Sequence, residues 1–579
     1  MTFEEYKAGG GPIPDKILAW QVFGSGLENV GIDGKPVEID TYPVGPDQIL
    51  ARVDAAGLCF SDVKILNLGG DHPRLFGRDL KNDPIVMGHE ASITVVKVGE
   101  KHQGKYKVGD KFVVQAEAYY KGKNLAFGYM LPGALQEYTI IGPELLEGDD
   151  GCYLLPVKPE TGYSEAALSE PWACVVCAYR VKPRTSLKSG GTVWIVGTPG
   201  SENMGLNLGA FEYSGVYPAR VFLTDVPAPL ASQITDLCAS AGISVTTTAP
   251  LAELDPAAVF PESGVDDVFI LGSGSAEVVE TADKALAKHG ILNLLANSPL
   301  PRPVSVDVGR VHYDGTFYQG GKGPDASAGY TRKRGPALTK GGKAWMLGGA
   351  GPMGQMHVQL AIEMKDGPSV IVASDIDPER LATVPERFGQ NAKDKGIELI
   401  CLNPKELGDE AFDAKLREIA PDGFDDVVVL VPAPPLVTQG SKYVAQDGWL
   451  NIFAGVARGT LATLDVSDVA LRGVRYTGTS GSSIDDLRKT LSLTESGELS
   501  PNRSVAAIGG IYAAYEGLDG VKNARFPGKV MIYPQIKDLP LTPLEDLADV
   551  LPEVAAKLSP QGAWTREAEI ELIKHFLPK

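Results

Sequence analysis

Gly341-Gly-Lys-Ala-Trp-Met-Leu-Gly348-Gly349-Ala-Gly351-Pro352-Met353-Gly354 is the stretch that decides the fold. An apolar run of strand length stops at a glycine turn, and a helix-forming segment opens at Gln355. A second apolar run, Val370-Ile-Val-Ala-Ser, ends at Asp375, 21 residues after Gly354. Each part has a physical task. Gly349 serves the tight turn, Gly351 lets a pyrophosphate approach the backbone, and Gly354 lets the helix pack on the strand. The helix N-terminus, with Pro352 and Met353, then faces the phosphates. Asp375 would accept ribose hydroxyls and repel a 2′-phosphate, which points to NAD over NADP.

The same phrase occurs earlier as Gly190-Gly-Thr-Val-Trp-Ile-Val-Gly197, followed by Val221-Phe-Leu-Thr-Asp225. Three further matches keep the order. Gly264-Val-Asp-Asp-Val-Phe-Ile-Leu pairs with Gly423-Phe-Asp-Asp-Val-Val-Val-Leu, and His289-Gly-Ile-Leu-Asn-Leu-Leu-Ala with Asp447-Gly-Trp-Leu-Asn-Ile-Phe-Ala. Val311-His-Tyr-Asp-Gly-Thr pairs with Val474-Arg-Tyr-Thr-Gly-Thr. Collinear matches at an offset of roughly 150 residues imply duplication of a whole βαβ domain rather than a solenoid. The first glycine loop, Gly197 to Gly205, is two residues longer and carries Glu202, an unfavourable neighbour for a pyrophosphate. It is either a second nucleotide site or a duplicate that no longer binds. Pairing of the two copies edge to edge within one chain, through strands near Val311 and Arg475, would satisfy their edge hydrogen bonds internally.

Ahead of the repeat, Gln48–Ala56, Ala91–Gly99 and Lys111–Ala116 read as short β-branched strands broken by Gly-Asp and Gly-Glu turns, a compact barrel. A helix is expected from Ser164 as its N-cap, and Gln319–Gly329 as a linker or exposed loop. Within the barrel lie Gly57-Leu-Cys59-Phe-Ser61-Asp62-Val-Lys64 and, some thirty residues on, Gly88-His89-Glu90. Catalytic zinc takes three N, S or O ligands and leaves one position open. Cys59, His89 and either Glu90 or Glu170 meet that need, and such a zinc makes a bound alcohol acidic enough to release hydride.

On these motifs the chain resembles the zinc-containing medium-chain dehydrogenase/reductase family, over about residues 18–200 and 340–533. The resemblance implies Cys59 and His89 as metal ligands, Glu90 as a ligand as in the polyol-dehydrogenase branch, and Glu170 of the Glu170-Pro171 pair as ligand or near-ligand. It implies that Ser61 takes the alcohol proton, that Asp62 fixes the second nitrogen of His89, and that Lys64 stands where relatives have a relay histidine. The expected fold is α/β: a GroES-like barrel catalytic domain (1–188) and two tandem Rossmann, doubly wound parallel-sheet domains. These are a first copy with a degenerate glycine loop (189–325) and an NAD-binding second copy (340–480). A C-terminal segment (481–579) returns to the barrel with a helical tail. One catalytic zinc is expected without a structural one, because no cysteine lies between 60 and 151 to build the four-cysteine lobe. Cys174-x-x-Cys177, without a second pair, reads as packing. Arg74, Arg78, Tyr119, Tyr120 and Tyr129 are placed near the cleft.

Composition bounds the rest. The chain has 579 residues and a net charge of −19, which disfavours nucleic acid and anionic membrane surfaces as partners. Six cysteines form no disulfide framework, and a basic leader with an apolar core is missing from the start, so a cytoplasmic protein is expected, monomer or homodimer. The function expected is zinc-dependent hydride transfer between NAD(H) and a secondary alcohol or ketone, a polyol, sugar or sugar phosphate. The alternatives are a lyase or epimerase using NAD transiently, or a nucleotide-sensing scaffold.

Overall fold

Ten consecutive buried residues, Ile49–Leu58 (β1), form the central strand of the first sheet, which admits apolar side chains on both faces. The computed structural model describes residues 1–202, 204, 207, 217–331 and 334–578. After β1 come helix α1 (Phe60–Leu68), β2 (Glu90–Val98), β3 (Lys111–Val114), β4 (Leu154–Pro156) and helix α2 (Tyr163–Ala178). The last third of the chain adds strands to the same eight-stranded sheet and is described below.

The second sheet has twelve strands in two parallel groups of six. The first group is β5 (Thr192–Gly197), β6 (Arg220–Thr224), β7 (Ser244–Thr247), β8 (Val265–Leu271), β9 (Leu286–Leu295) and, after helix α3 (Val308–Tyr313), β10 (Phe317–Gly321). The second is β11 (Lys343–Leu347), followed by helix α4 (Pro352–Glu363), then β12 (Val370–Ser374), β13 (Glu398–Leu402), β14 (Phe424–Val429), β15 (Val444–Ile452) and β16 (Arg475–Gly478). The order across the sheet is β7-β6-β5-β8-β9-β10-β16-β15-β14-β11-β12-β13. Each half is therefore doubly wound, with its crossover reversing beside its first strand, as expected from the two glycine turns.

The frame repeats atom for atom in places. Trp194 Nε1 donates to Thr224 Oγ1 at 2.8 Å, and Trp345 Nε1 to Ser374 Oγ at 2.9 Å. Arg184 pairs with Asp267 at 3.0 Å, and Arg334 with Asp426 at 2.5 Å. The halves meet where β10 and β16 pair antiparallel, Tyr318 opposite Tyr476. A second ladder joins 304–307 to 461–464. The junction expected near Val311 falls instead at Phe317. Asp307 caps a helix there, its carboxylate accepting from Arg310 N at 3.1 Å, so Val311 lies in α3. The loop expected from Gln319 likewise starts later, since Gln319–Gly321 are buried in β10.

Three strands return to the barrel sheet, β17 (Val505–Gly510), β18 (Lys529–Tyr533) and β19 (Thr542–Pro543), giving the order β4-β3-β2-β1-β18-β17-β19 with 138–141 also on β1. A terminal helix α5 (Arg566–Phe576) follows. Glu569 on α5 accepts from Tyr163 N at 2.6 Å and Ser164 N at 2.7 Å. The N-terminus of α2 is therefore capped by a carboxylate more than 400 residues away in sequence, not by Ser164.

Candidate metal and coenzyme site

Strand register assembles the metal group. On β1 and β2, Gly57 stands opposite Glu90, so Cys59 lies just past the end of β1 and His89 just before β2. On the other side of β1, Val530 stands opposite Leu58, which brings Lys529 to the same end. The ligand atoms of Cys59, His89 and Glu90 lie within 4.8 Å of one another. Zinc bonds of about 2.0–2.3 Å need only a small closure of that group, and thiolate, imidazole and carboxylate are zinc donors. Glu90 Oε2 is buried without a hydrogen-bond partner, a cost unless something else satisfies it. Gly57 leaves room for it, because a Cβ there would overlap Glu90 Oε2.

Cys59 is the N-cap of α1, and Asp62 in the first turn accepts from Cys59 N at 2.9 Å. The other oxygen of Asp62 lies 3.4 Å from His89 Nδ1, so one buried carboxylate faces both the Cys59 amide and the His89 ring. Burial alone would discharge His89, but Asp62, Tyr129 and a contact with Cys59 hold its pKa well above the usual range. Ser61, half-buried, and Lys64, exposed, are three residues apart on the outer face of α1. Glu170, buried on α2, lies outside the group of three. Burial raises its pKa to about 7, with His89 and Lys529 pulling it down and Glu90 and Glu117 pushing it up.

Lys529 is absent from the sequence reading. It donates to Glu90 Oε1 at 2.5 Å and is 6 % exposed. Burial opposes its charge, but Glu90 and Cys59 hold its pKa high. The only signal was a lone lysine opening the strand Lys529-Val-Met-Ile-Tyr. Among the aromatics, Tyr129 belongs to the site, its ring 5.8 Å from His89 and 5.4 Å from His72, whereas Tyr119 and Tyr120 form a separate hairpin. Arg74 lies over Tyr129 at 5.1 Å and pairs with Glu117. Arg78 is committed to Asp83 at 2.7 Å and to carbonyls, a structural role. Cys174 and Cys177 are free thiols on α2, with burial pushing Cys177 to about 12.

The glycine turn of the second half distributes its tasks with one change. The left-handed residue is Gly348, φ 79°, one before Gly349. A Cβ on Gly351 would meet only Gly348 O, at 3.7 Å, which leaves open space where a ligand would approach. A Cβ on Gly354 would overlap Gly348 O, so helix and turn pack there at glycine distance. Pro352 and Met353 open α4, and Asp375 ends β12 with its Oδ1 accepting from Asp377 N at 3.1 Å. In the first half, Gly200 N donates instead to Glu202 at 2.9 Å, and Asp225 Oδ2 accepts from Leu251 N at 2.9 Å. Gly205 lies outside the described residues.

Residues 45–146 match the family model of the alcohol dehydrogenase GroES-like domain. The uncharacterized protein YggP of Escherichia coli K12 is 25% identical over 92% of this chain and 92% of its own. The L-sorbose 1-phosphate reductase of Klebsiella pneumoniae is 24% identical over 91% of this chain and 92% of its own. The mannitol-1-phosphate 5-dehydrogenase of Aliivibrio fischeri is 23% identical over 94% and 96%. Over more than nine-tenths of its length the chain is thus similar to dehydrogenases and reductases, and residues 45–146 carry the GroES-like domain of alcohol dehydrogenases. The resemblance is to zinc-type alcohol and polyol dehydrogenases. Among the described residues no helix is long and apolar enough to cross a membrane.

Proposed function

We propose that this chain is a medium-chain dehydrogenase that moves hydride between NAD(H) and a secondary alcohol or ketone of a polyol, sugar or sugar phosphate, with one zinc ion at the barrel end. The observation that carries the reading is the convergence of Cys59, His89 and Glu90 beside a buried, partnerless carboxylate oxygen. Zinc there would supply Lewis acidity at the substrate oxygen, and NAD(H) would carry the hydride.

The chain's own residues supply the rest. Cys59, His89 and Glu90 would hold the ion, with Glu170 on α2 as the alternative to Glu90. Asp62 orients His89. Ser61 would take the alcohol proton and release it toward solvent along the exposed face of α1, where Lys64 stands in the place of a relay histidine. Gly349, Gly351, Pro352, Met353, Gly354 and Asp375 form the coenzyme turn, with Asp375 selecting NAD. Tyr129 forms the substrate wall between His89 and the His72–Arg74 segment. The segments are those expected above, 1–188, 189–325, 340–480 and 481–579. Two relatives that span over nine-tenths of the chain are named for sugar phosphates, which supports that substrate class.

Metal analysis of the purified protein, then an NADH-absorbance screen over polyols, ketoses and their phosphates, tests this. About one zinc per chain and turnover with one of these classes is expected. A metal-free protein that accepts none of them would overturn the reading.

A further inference from the structure

The loop 453–460 leaves the carboxyl end of β15 beside the end of β14 and against α4, the helix that follows the second glycine turn. Phe453 N and Ala454 N both donate to Val429 O, the last residue of β14, at 3.1 and 3.0 Å. The Phe453 ring lies 4.3 Å from His357 on α4, the helix that opens at the glycine turn. Crevices outside the carboxyl ends of such strands are where dinucleotides sit. The loop, Phe-Ala-Gly-Val-Ala-Arg-Gly-Thr, is rich in small residues and has little side-chain surface of its own to hold it in one shape.

Its outer side is gripped by the other half of the sheet. Gly459 N donates to Asp307 Oδ2 at 2.8 Å, and Val308 N to Thr460 O at 3.0 Å. Arg458 donates to Asp314 at 3.0 Å and lies 5.1 Å over the Tyr313 ring. His312 Nδ1 lies 3.2 Å from Ile452 O, directly before the loop. Backbones touch where Gly309 meets Ala457, since a Cβ on Gly309 would overlap Ala457 O. A Cβ on Gly455 would stand 2.9 Å from Tyr313 Oη and 3.2 Å from His312 Nε2. Burial pushes His312 down to about 4, against the pull of the Ile452 carbonyl and with the charges of Lys64 and Arg458.

We propose that α3 and residues 304–307 of the first half act within the chain as a clamp that holds the coenzyme loop 453–460 of the second half in its binding shape. The affinity of one half for dinucleotide is then set by contacts from the other. Fixing a loop before the ligand arrives removes its ordering from the free energy of binding. This rests on the reading of the second half as the coenzyme site.

The test is NADH titration by protein fluorescence on the zinc-loaded, full-length chain. Gly309→Val should raise the NADH Kd tenfold or more, and Asp314→Asn, which keeps the backbone contacts, three- to fivefold. Amide hydrogen exchange over 453–460 should quicken in Asp314→Asn, while zinc content stays at the wild-type value. Should Gly309→Val fail to fold, Asp314→Asn decides. NADH affinity within twofold of wild type in a folded Asp314→Asn, with unchanged exchange, would overturn the clamp and leave the coenzyme reading standing. Absence of NADH binding by the wild-type chain would overturn both.

Discussion

Trp194 and Trp345 occupy the same place in the two halves of the twelve-stranded sheet and donate to the same kind of hydroxyl. The loops that follow them differ in what they have already bound. At the second, Gly351 opens onto free space and Asp375 stands at the strand end. At the first, the Glu202 carboxylate takes the Gly200 amide, while both strand-end acids accept a backbone amide, Asp225 from Leu251 and Asp375 from Asp377. A cavity of ≈ 310 Å³ remains there, lined by Pro199, Gly200, Gly272, Ser273, Asn297 and Ser298. The two halves thus share one frame and differ at the loop that follows its first strand. The frame is held by buried strands, and the site by a few amides.

The largest expected effect lies outside both halves and sets the scale. Cys59→Ser should lose zinc and at least 10³-fold in turnover while keeping NADH affinity within threefold, as read by metal analysis, kinetics and titration. Next comes the paired test of the two acids. Asp375→Ala should weaken NADH by about 10–100-fold, or about 1.4–2.7 kcal/mol, and Asp225→Ala by less than twofold. Equal effects would erase the distinction between the halves. Glu202→Ala sharpens it further. Freeing the Gly200 amide should leave NADH stoichiometry at one per chain by calorimetry, because the first loop remains two residues longer than the second. A second site in that variant would show that one carboxylate is the whole difference.

The smallest effect concerns His357, buried on α4 and pushed down to about 3 by burial. It stays neutral in the fold, whereas an unfolded histidine binds a proton below about pH 6.5. Its contribution is therefore complete above that pH and is lost as pH falls toward 3, by about 1.4 kcal/mol per pH unit. His357→Gln should flatten the fall of Tm between pH 6 and 4.5.

Much of this was legible in sequence. The periods of the strands, the glycine turn and the five collinear matches fixed the doubly wound halves, because those signals are local or repeat themselves. Cys59, His89 and Glu90 were legible as types at a spacing. What chose Glu90 over Glu170 for the compact group was register, Gly57 opposite Glu90, which no spacing encodes. Lys529 was invisible for the same reason, since it reaches Glu90 through a strand added some 440 residues later. The junction was displaced from Val311 to Phe317 because Asp307 caps a helix there, a short-range preference hidden inside a β-branched run. The cap on α2 came from Glu569, a long-range contact that outcompetes the local serine.

The most direct measurement is an anomalous difference map at the zinc edge from crystals grown with zinc and NADH. The account expects one peak about 2.3 Å from Cys59 Sγ and about 2.0–2.1 Å from a His89 nitrogen, with Glu90 or Glu170 completing the set and dinucleotide density over Gly351 alone. No peak between those side chains, or coenzyme seated over Gly200, would contradict it.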